Sequence, residues 1–381
     1  MSLLSARSYP HARRLAVFVA TVAVVLVAAP AALAGVRVVA PVGADAGNCA
    51  VTPCASFSYA YGQAAAGDVI TVAPGSYGGQ TVPGGSKPVT FKGLPGNKIR
   101  QLHNYADNVT FDGLDVDANR GTPNGAVLEL HEASNVTFKN GRVGNTTDQK
   151  GAVLGGWDTS ASQHLVIDNV EFHDVIQQGP EVHNECIFSQ SPGLTIRNST
   201  FRNCATMDLF ILRGTWWNQP DYGGVTLENN VFGHSMNGSG WHYYSVYFAS
   251  GTFSNMRAVN NTFENNVIFD DNNIGAGPYS GVWANNIGGG WSCLSGVTFR
   301  NNIGKACHST DKATTPESSC GPPACGSTSY QPVSWVDPAN FDFHLNAASM
   351  AIDAGTATYA PATDKDGKAR TGAPDVGAYE R

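Results

Sequence analysis

The chain has 381 residues, a formal net charge of −7 and eight cysteines, and charged side chains make up only 14% of it. An acidic chain of this kind is not a general binder of nucleic acid, because it lacks the cationic surface that phosphate backbones demand. For the same reason it would not draw in an anionic polymer from a distance; any such ligand would need local Arg, Lys or a bound cation.

The first predicted element is residues 1–34. Arg7, Arg13 and Arg14 precede the apolar run LAVFVATVAVVLVAAPAALA, which closes on Ala32-Leu33-Ala34. A basic start, an apolar stretch and small residues before Gly35 are the parts of a secretory signal peptide. The competing reading is an uncleaved anchor, since the run almost reaches membrane-spanning length. Pro30 and the small residues favour cleavage, and no other long apolar segment follows. The expectation is therefore an exported, secreted chain with no membrane contact after cleavage, whose charge becomes −10 once the three Arg are lost. All eight Cys lie beyond this segment, and an even number in an exported chain suggests disulfides. Cys49 with Cys54 and Cys320 with Cys325 are spaced to close small loops, whereas Cys186 and Cys204, inside apolar strands, read as buried free thiols.

From residue 109 one octet recurs: VTFDGLDV, VTFKNGRV, LVIDNVEF, LTIRNSTF, VTLENNVF, MRAVNNTF, GVWANNIG and VTFRNNIG. The starts at 109, 136, 165, 194, 225, 256, 281 and 297 are separated by 27, 29, 29, 31, 31, 25 and 16 residues. A period in this range, with short β-type runs and polar turns, predicts a stacked solenoid. Leu194 and Ile196 alternate with polar residues, as in a strand with one buried face. The fifth position of each octet is Gly113, Asn140, Asn169, Asn198, Asn229, Asn260, Asn285 or Asn301. Asn and Gly enter the left-handed backbone region most easily, so each octet predicts a strand, a sharp corner and the next strand. Stacked about 4.8 Å apart, the corner amides can form a ladder. Asn-x-Ser/Thr sites such as Asn198-Ser199-Thr200 are explained by the corners themselves.

Over roughly residues 37–310 this pattern resembles the right-handed parallel β-helix, the pectate-lyase-like superfamily. The resemblance implies an all-β solenoid with an N-terminal helical cap, read in CASFSYAYGQAAAGDVITVAPGSY, and a short C-terminal tail. An end cap is also required physically, since a bare solenoid end exposes apolar faces and unpaired strands. The predicted organisation is a signal peptide at 1–34, cap at 35–66, β-helix at 67–307, linker at 308–334 and a tail at 335–381 packing on the helix end.

The resemblance also implies a polysaccharide as partner, bound in a groove along one sheet. The strands before each octet are its candidate wall: AVLELHE, ECIFSQS, DLFILRG and SVYFAS. Aligned on Cys186 and Phe188 as inward residues, Glu185 and Asp208 occupy matching outward places on neighbouring coils. His183 precedes them, and Arg213, Trp216, Trp217, His242 and Tyr243 follow in the longest, most aromatic insertions. Aromatic faces beside carboxylates and an Arg suit a sugar cleft.

Two chemistries fit. Glycoside hydrolysis needs two carboxylates, for which Glu185 and Asp208, or Glu129 and Glu185, are candidates. A lyase needs a base and a group that neutralises a uronate, for which Lys150, His183, Arg213, His242 and Tyr243 are candidates. Asp270 and Asp271, followed by Asn272 and Asn273, offer oxygens to Ca²⁺, the one cofactor the sequence suggests, although such a run is more often a solvated turn. The Gly-His-Gly and Arg-Ile-Lys strings of polygalacturonases are absent. His131, His234 and His344 read as ordinary surface or hydrogen-bonded histidines. The leading expectation is a monomeric polysaccharide lyase or glycosidase; the alternative is a non-catalytic carbohydrate-binding or cell-surface structural protein.

Overall fold

A computed structural model describes residues 36–121, 125–147, 150–155, 162–176, 184–212, 222–233, 244–249, 252–270, 279–313 and 333–381. The fold is a right-handed parallel β-helix. Its first ladder is an 11-stranded parallel sheet from Val36–Val39 to Val297–Arg300, and it contains the strand of every octet. After each octet corner comes a strand of a second ladder, such as Asp115–Gly121, Arg142–Thr147, Glu171–Ile176 and Thr200–Cys204. A third ladder follows: Leu128–Leu130, Ala152–Leu154, Glu185–Ser189, Met207–Leu212, Tyr244–Ala249 and Asn266–Asp270. The long strand Asn97–Ala106 bends from one to the other, pairing with the second ladder at Ile99 and with the third at Leu102–Asn104.

All eight expected corners have positive φ: Gly113 at 75° and the seven asparagines between 52° and 56°. A second left-handed corner, at Asn108, Asn135, His164, Gly193, Gly224, Asn255 and Gly296, stands one residue before the octet. Seven of the eight octets thus enter and leave the first ladder through left-handed residues, and the eighth enters through Gly281 itself, with φ of 131°.

The ladder of amides differs in part from expectation. Some corner side chains do bond to one another, as Asn169 Nδ2 does to Asn140 Oδ1 (2.9 Å). The continuous column is made by the next residue. Asn230, Asn261, Asn286 and Asn302 are buried, and each backbone N–H and amide Nδ2 of one donates to the Oδ1 of the following coil at 2.9–3.2 Å, the last to Asp311. The corner residues point outward, where Asn229, Asn260, Asn285 and Asn301 donate to backbone carbonyls of Thr363, Asp375, Thr356 and Ala354. The tail is therefore laid along the corner of the last coils.

Inside, aromatic rings repeat coil by coil. Phe172, Phe201, Phe232 and Phe263 stack at 4.7–5.0 Å, because parallel in-register strands put identical positions above one another. At the N-terminal end the helix Phe57–Gln63 is started by Ser56, whose hydroxyl accepts from the Tyr59 N–H, and it lays Phe57 on Phe91 at 4.6 Å. Cys49 is joined to Cys54 and Cys293 to Cys307. Cys186 and Cys204 are also joined, tying the second ladder to the third; the free-thiol reading is corrected. Cys320 and Cys325 lie outside the described residues. Among the described residues, no helix is long and apolar enough to cross a membrane.

Candidate functional site

The third ladder decides which side chains leave the coil. Leu128, Ala152, Ile187, Leu209 and Val246 share one register position, and all belong to the central core. The next position must therefore face out. It is occupied in turn by His103, Glu129, Val153, Phe188, Phe210 and Tyr247. Val153 and Phe188 form an apolar cluster of their own with Ala126, Phe210 and Leu212, separate from the core. Rings of Phe188, Phe210 and Tyr247 meet edge to face at 5.4 Å. The inward assignment of Phe188 is corrected: Ile187 fills the core position, and Phe188 extends an aromatic stripe along the outer face.

At the other end of this row is a cluster built on Glu129. Its Oε2 lies 2.6 Å from Nε2 of His131 and 3.5 Å from Nε2 of His103, while Oε1 accepts the Ala126 N–H at 2.7 Å. Burial pushes the Glu129 carboxyl upward, but the His131 hydrogen bond, the His103 charge and the Ala126 N–H outweigh it and hold it below its ordinary value. Burial moves His103 the other way, below the usual imidazole value, against the pull of Glu129 and with the repulsion of His131. His103 is thus neutral near pH 7, and a carboxylate facing its Nε2 favours the tautomer with the proton there and the lone pair on Nδ1. The exposed ring of Tyr105 stacks on His131 at 5.8 Å. A His–Glu–His cluster beside an exposed phenol can move protons and can grip hydroxyls.

The sequence-predicted residues divide three ways. Glu129 lies in the cluster just described. Lys150 and Glu185 come together, with Nζ 3.0 Å from Oε2, and the Lys150 ammonium also stands 5.6 Å from the ring centre of Phe188 at the edge of the aromatic stripe. Glu185 and Asp208, expected outward at matching places, are both fully buried and out of step by one residue, since Glu185 pairs with Met207. His183, Arg213, Trp216, Trp217, His242, Tyr243 and Asp271 lie outside the described residues, as does the side chain of Asp270. The histidine pair was missed. LHN at 102–104 and LEL at 128–130 carry the same in–out–in alternation, and that repeat was the available signal.

Asp208 has a consequence for stability. Neither carboxylate oxygen has a hydrogen-bond partner among the described residues, and burial, reinforced by the charge of Glu264, pushes the carboxyl well above its ordinary value. A folded state that holds its proton more tightly than the unfolded chain loses stability as pH rises through the unfolded value of about 4. Asp208→Asn removes that ionisation. The variant is expected to be more stable than the parent by about 1–3 kcal/mol near neutral pH, because the unfolded parent releases there a proton that its folded state must keep, with the gap closing toward pH 4. Urea melts at several pH values measure this; a gap that does not change with pH contradicts it.

No protein-family model matches the chain, and no curated protein matches it. Among solved structures it is similar to pectate lyase Pel9A, at 17% identity and a TM-score of 0.48 over 91% of this chain and 96% of that one. It is also similar to a rhamnogalacturonan lyase, at 13% identity and a TM-score of 0.39 over 70% of this chain and 87% of that one. An alginate lyase from Paenibacillus sp. str. FPU-7 aligns at 14% identity and a TM-score of 0.32, over 69% of this chain and 97% of that one.

Proposed function

We propose that the protein is an exported enzyme that binds a polysaccharide along the outer face of the third ladder and cleaves it by elimination. The observation that supports this is the single outward row, in which His103 and Glu129 stand at one end of the Val153, Phe188, Phe210 and Tyr247 stripe. With about 4.8 Å per coil, the row is long enough for several sugar rings; Val153 and Phe188 are buried, so half-buried Phe210 and Tyr247 are the rings that meet sugar CH faces. His103, 3.5 Å from the Glu129 carboxylate, takes the proton from the carbon beside a uronate carboxylate, whose charge is met by Lys150 at the edge of the stripe. The electron pair becomes a carbon–carbon double bond, and the glycosidic oxygen leaves with a proton from an acid such as the exposed Tyr105 phenol. Hydrolysis is supported less well, because it needs a carboxylate pair. Glu129 is the one carboxylate among the described residues of this row, and Glu185 and Asp208 are buried. Export rests on the reading of residues 1–34 and fits the three disulfides.

Incubating the purified protein with a panel of neutral and uronate-bearing polysaccharides tests the reading. Rising ultraviolet absorbance from unsaturated ends on uronate polymers is expected. New reducing ends without that absorbance would make the enzyme a hydrolase, and retention without products would make it a binding protein.

A further inference from the structure

A second cleft lies on a different face. On the second ladder, at its N-terminal end, a cavity of about 500 Å³ is lined by Ser76, Tyr77, Lys98, Arg100, Asp117 and Asn119, with Ala118 and Gly121 closing it. That size falls within the range of sites for small ligands. None of its residues belongs to the His103–Tyr247 row.

Three observations give this cleft a chemistry. The first is its balance of charge. Asp117 is fully engaged, accepting from Lys98 Nζ at 3.0 Å, from the Asn119 N–H at 2.7 Å and from Asn145 Nδ2 at 2.7 Å. Lys98 is offset by that carboxylate and by Asp115 at 3.8 Å. Arg100 is exposed and forms no ion pair or hydrogen bond among the described residues, so it is the unpaired cation of the lining. The second is room beside that guanidinium: a Cβ added to Gly121 would stand 3.4 Å from an Arg100 terminal nitrogen. The tighter contact would be with the Ala118 carbonyl oxygen at 3.1 Å, so glycine at 121 leaves the bulge and the guanidinium beside it uncrowded.

The third is the backbone around it. Where the neighbouring strand advances from Gly144 to Thr146, this strand advances from Asp117 to Gly121, inserting two residues. Within the insertion Asn119 and Arg120 both have φ of 54°, two successive left-handed residues of which only the first is a type that enters that region readily. Bulges and strained backbone of this sort gather at functional sites. Here the bulge places Asn119 in the lining of the same cavity as Arg100.

We infer that this cleft binds an anionic sugar, with the Arg100 guanidinium taking the acidic group in a fork and Asn119 and Ser76 taking hydroxyls. A planar carboxylate matches the guanidinium best, so a uronate is the expected occupant; a sulfate ester offers the same charge through different geometry.

Equilibrium dialysis with trigalacturonate, a sulfated trisaccharide and neutral cellotriose tests the assignment. Trigalacturonate is expected to bind the parent protein, and Arg100→Ala is expected to remove one binding equivalent or weaken it at least about tenfold. Arg100→Lys should weaken it too, since a point charge cannot make the fork. His103→Ala should leave this equivalent intact, which separates the cleft from the third-ladder face whether or not that face binds. Retention of the sulfated probe alone, with the same dependence on Arg100, would support the anion site and change its occupant. Binding that is unchanged in Arg100→Ala, equal uptake of cellotriose, or no uptake by the parent protein would overturn the inference. Melting curves of the variants show whether each remains folded; Arg100 is exposed, so each should.

Discussion

Asn261→Ala is expected to destabilise the protein by about 3–5 kcal/mol, among the largest effects available to a single substitution here. The side chain has no solvent exposure and makes four hydrogen bonds. Its Oδ1 accepts from the backbone N–H and the amide of Asn230, and its Nδ2 donates to the Leu227 carbonyl and to Asn286 Oδ1. Truncation leaves the Asn230 N–H buried without its acceptor, at about 1–3 kcal/mol, and opens a polar cavity besides. Because each coil contacts only its neighbours, the defect also uncouples the coils on either side of it. Asn140 makes the contrast. It is exposed and left-handed, with φ of 53°. Asn140→Gly keeps that backbone available, and its effect should be below about 1 kcal/mol. Urea unfolding of both variants measures the difference. Equal losses at the two positions would mean that the buried column is not what holds the coils in register.

That contrast also shows what could be read from the residues. The corner positions were legible because a positive φ restricts the choice of residue, so Gly113 and seven asparagines mark it without reference to anything distant. The buried column was equally visible as the second letter of Asn229-Asn230, Asn260-Asn261, Asn285-Asn286 and Asn301-Asn302, but a doubled asparagine does not say which amide turns inward. The phase of the third ladder was harder. Cys186, Ile187 and Phe188 are consecutive apolar residues and all are buried, so alternation cannot choose between two phases. One row packs in the coil and the other against its own outer cluster. Placing Glu185 opposite Asp208 required knowing the length of the connection before each strand, which the period of the first ladder does not carry. His103 and Glu129 were separated by the bend of Asn97–Ala106 between two ladders, and only pairing brings Leu102–Asn104 beside Leu128–Leu130.

His103→Ala is expected to lower kcat/KM on a uronate polymer by about 10²–10⁴-fold, the usual contribution of a positioned proton acceptor. The pH profile carries more information than the loss itself. A base works in its neutral form, and burial holds His103 below the ordinary value of about 6.5. The acid limb of kcat/KM should therefore rise through a midpoint below that value and be flat by neutral pH. Glu129 acts through the imidazole, with its Oε2 3.5 Å from His103 Nε2. Its charge raises the affinity of His103 for a proton. In Glu129→Gln that support is gone, so the midpoint should move to still lower pH while the plateau rate falls, with KM changed less than kcat. A carboxylate that served only to hold the strand would alter stability and leave the midpoint in place. If instead Glu129 itself removed the proton, Glu129→Gln would abolish turnover, and His103→Ala would leave a profile following the carboxylate at much lower pH. Full activity in His103→Ala, with product still unsaturated, would move the base elsewhere on the coil.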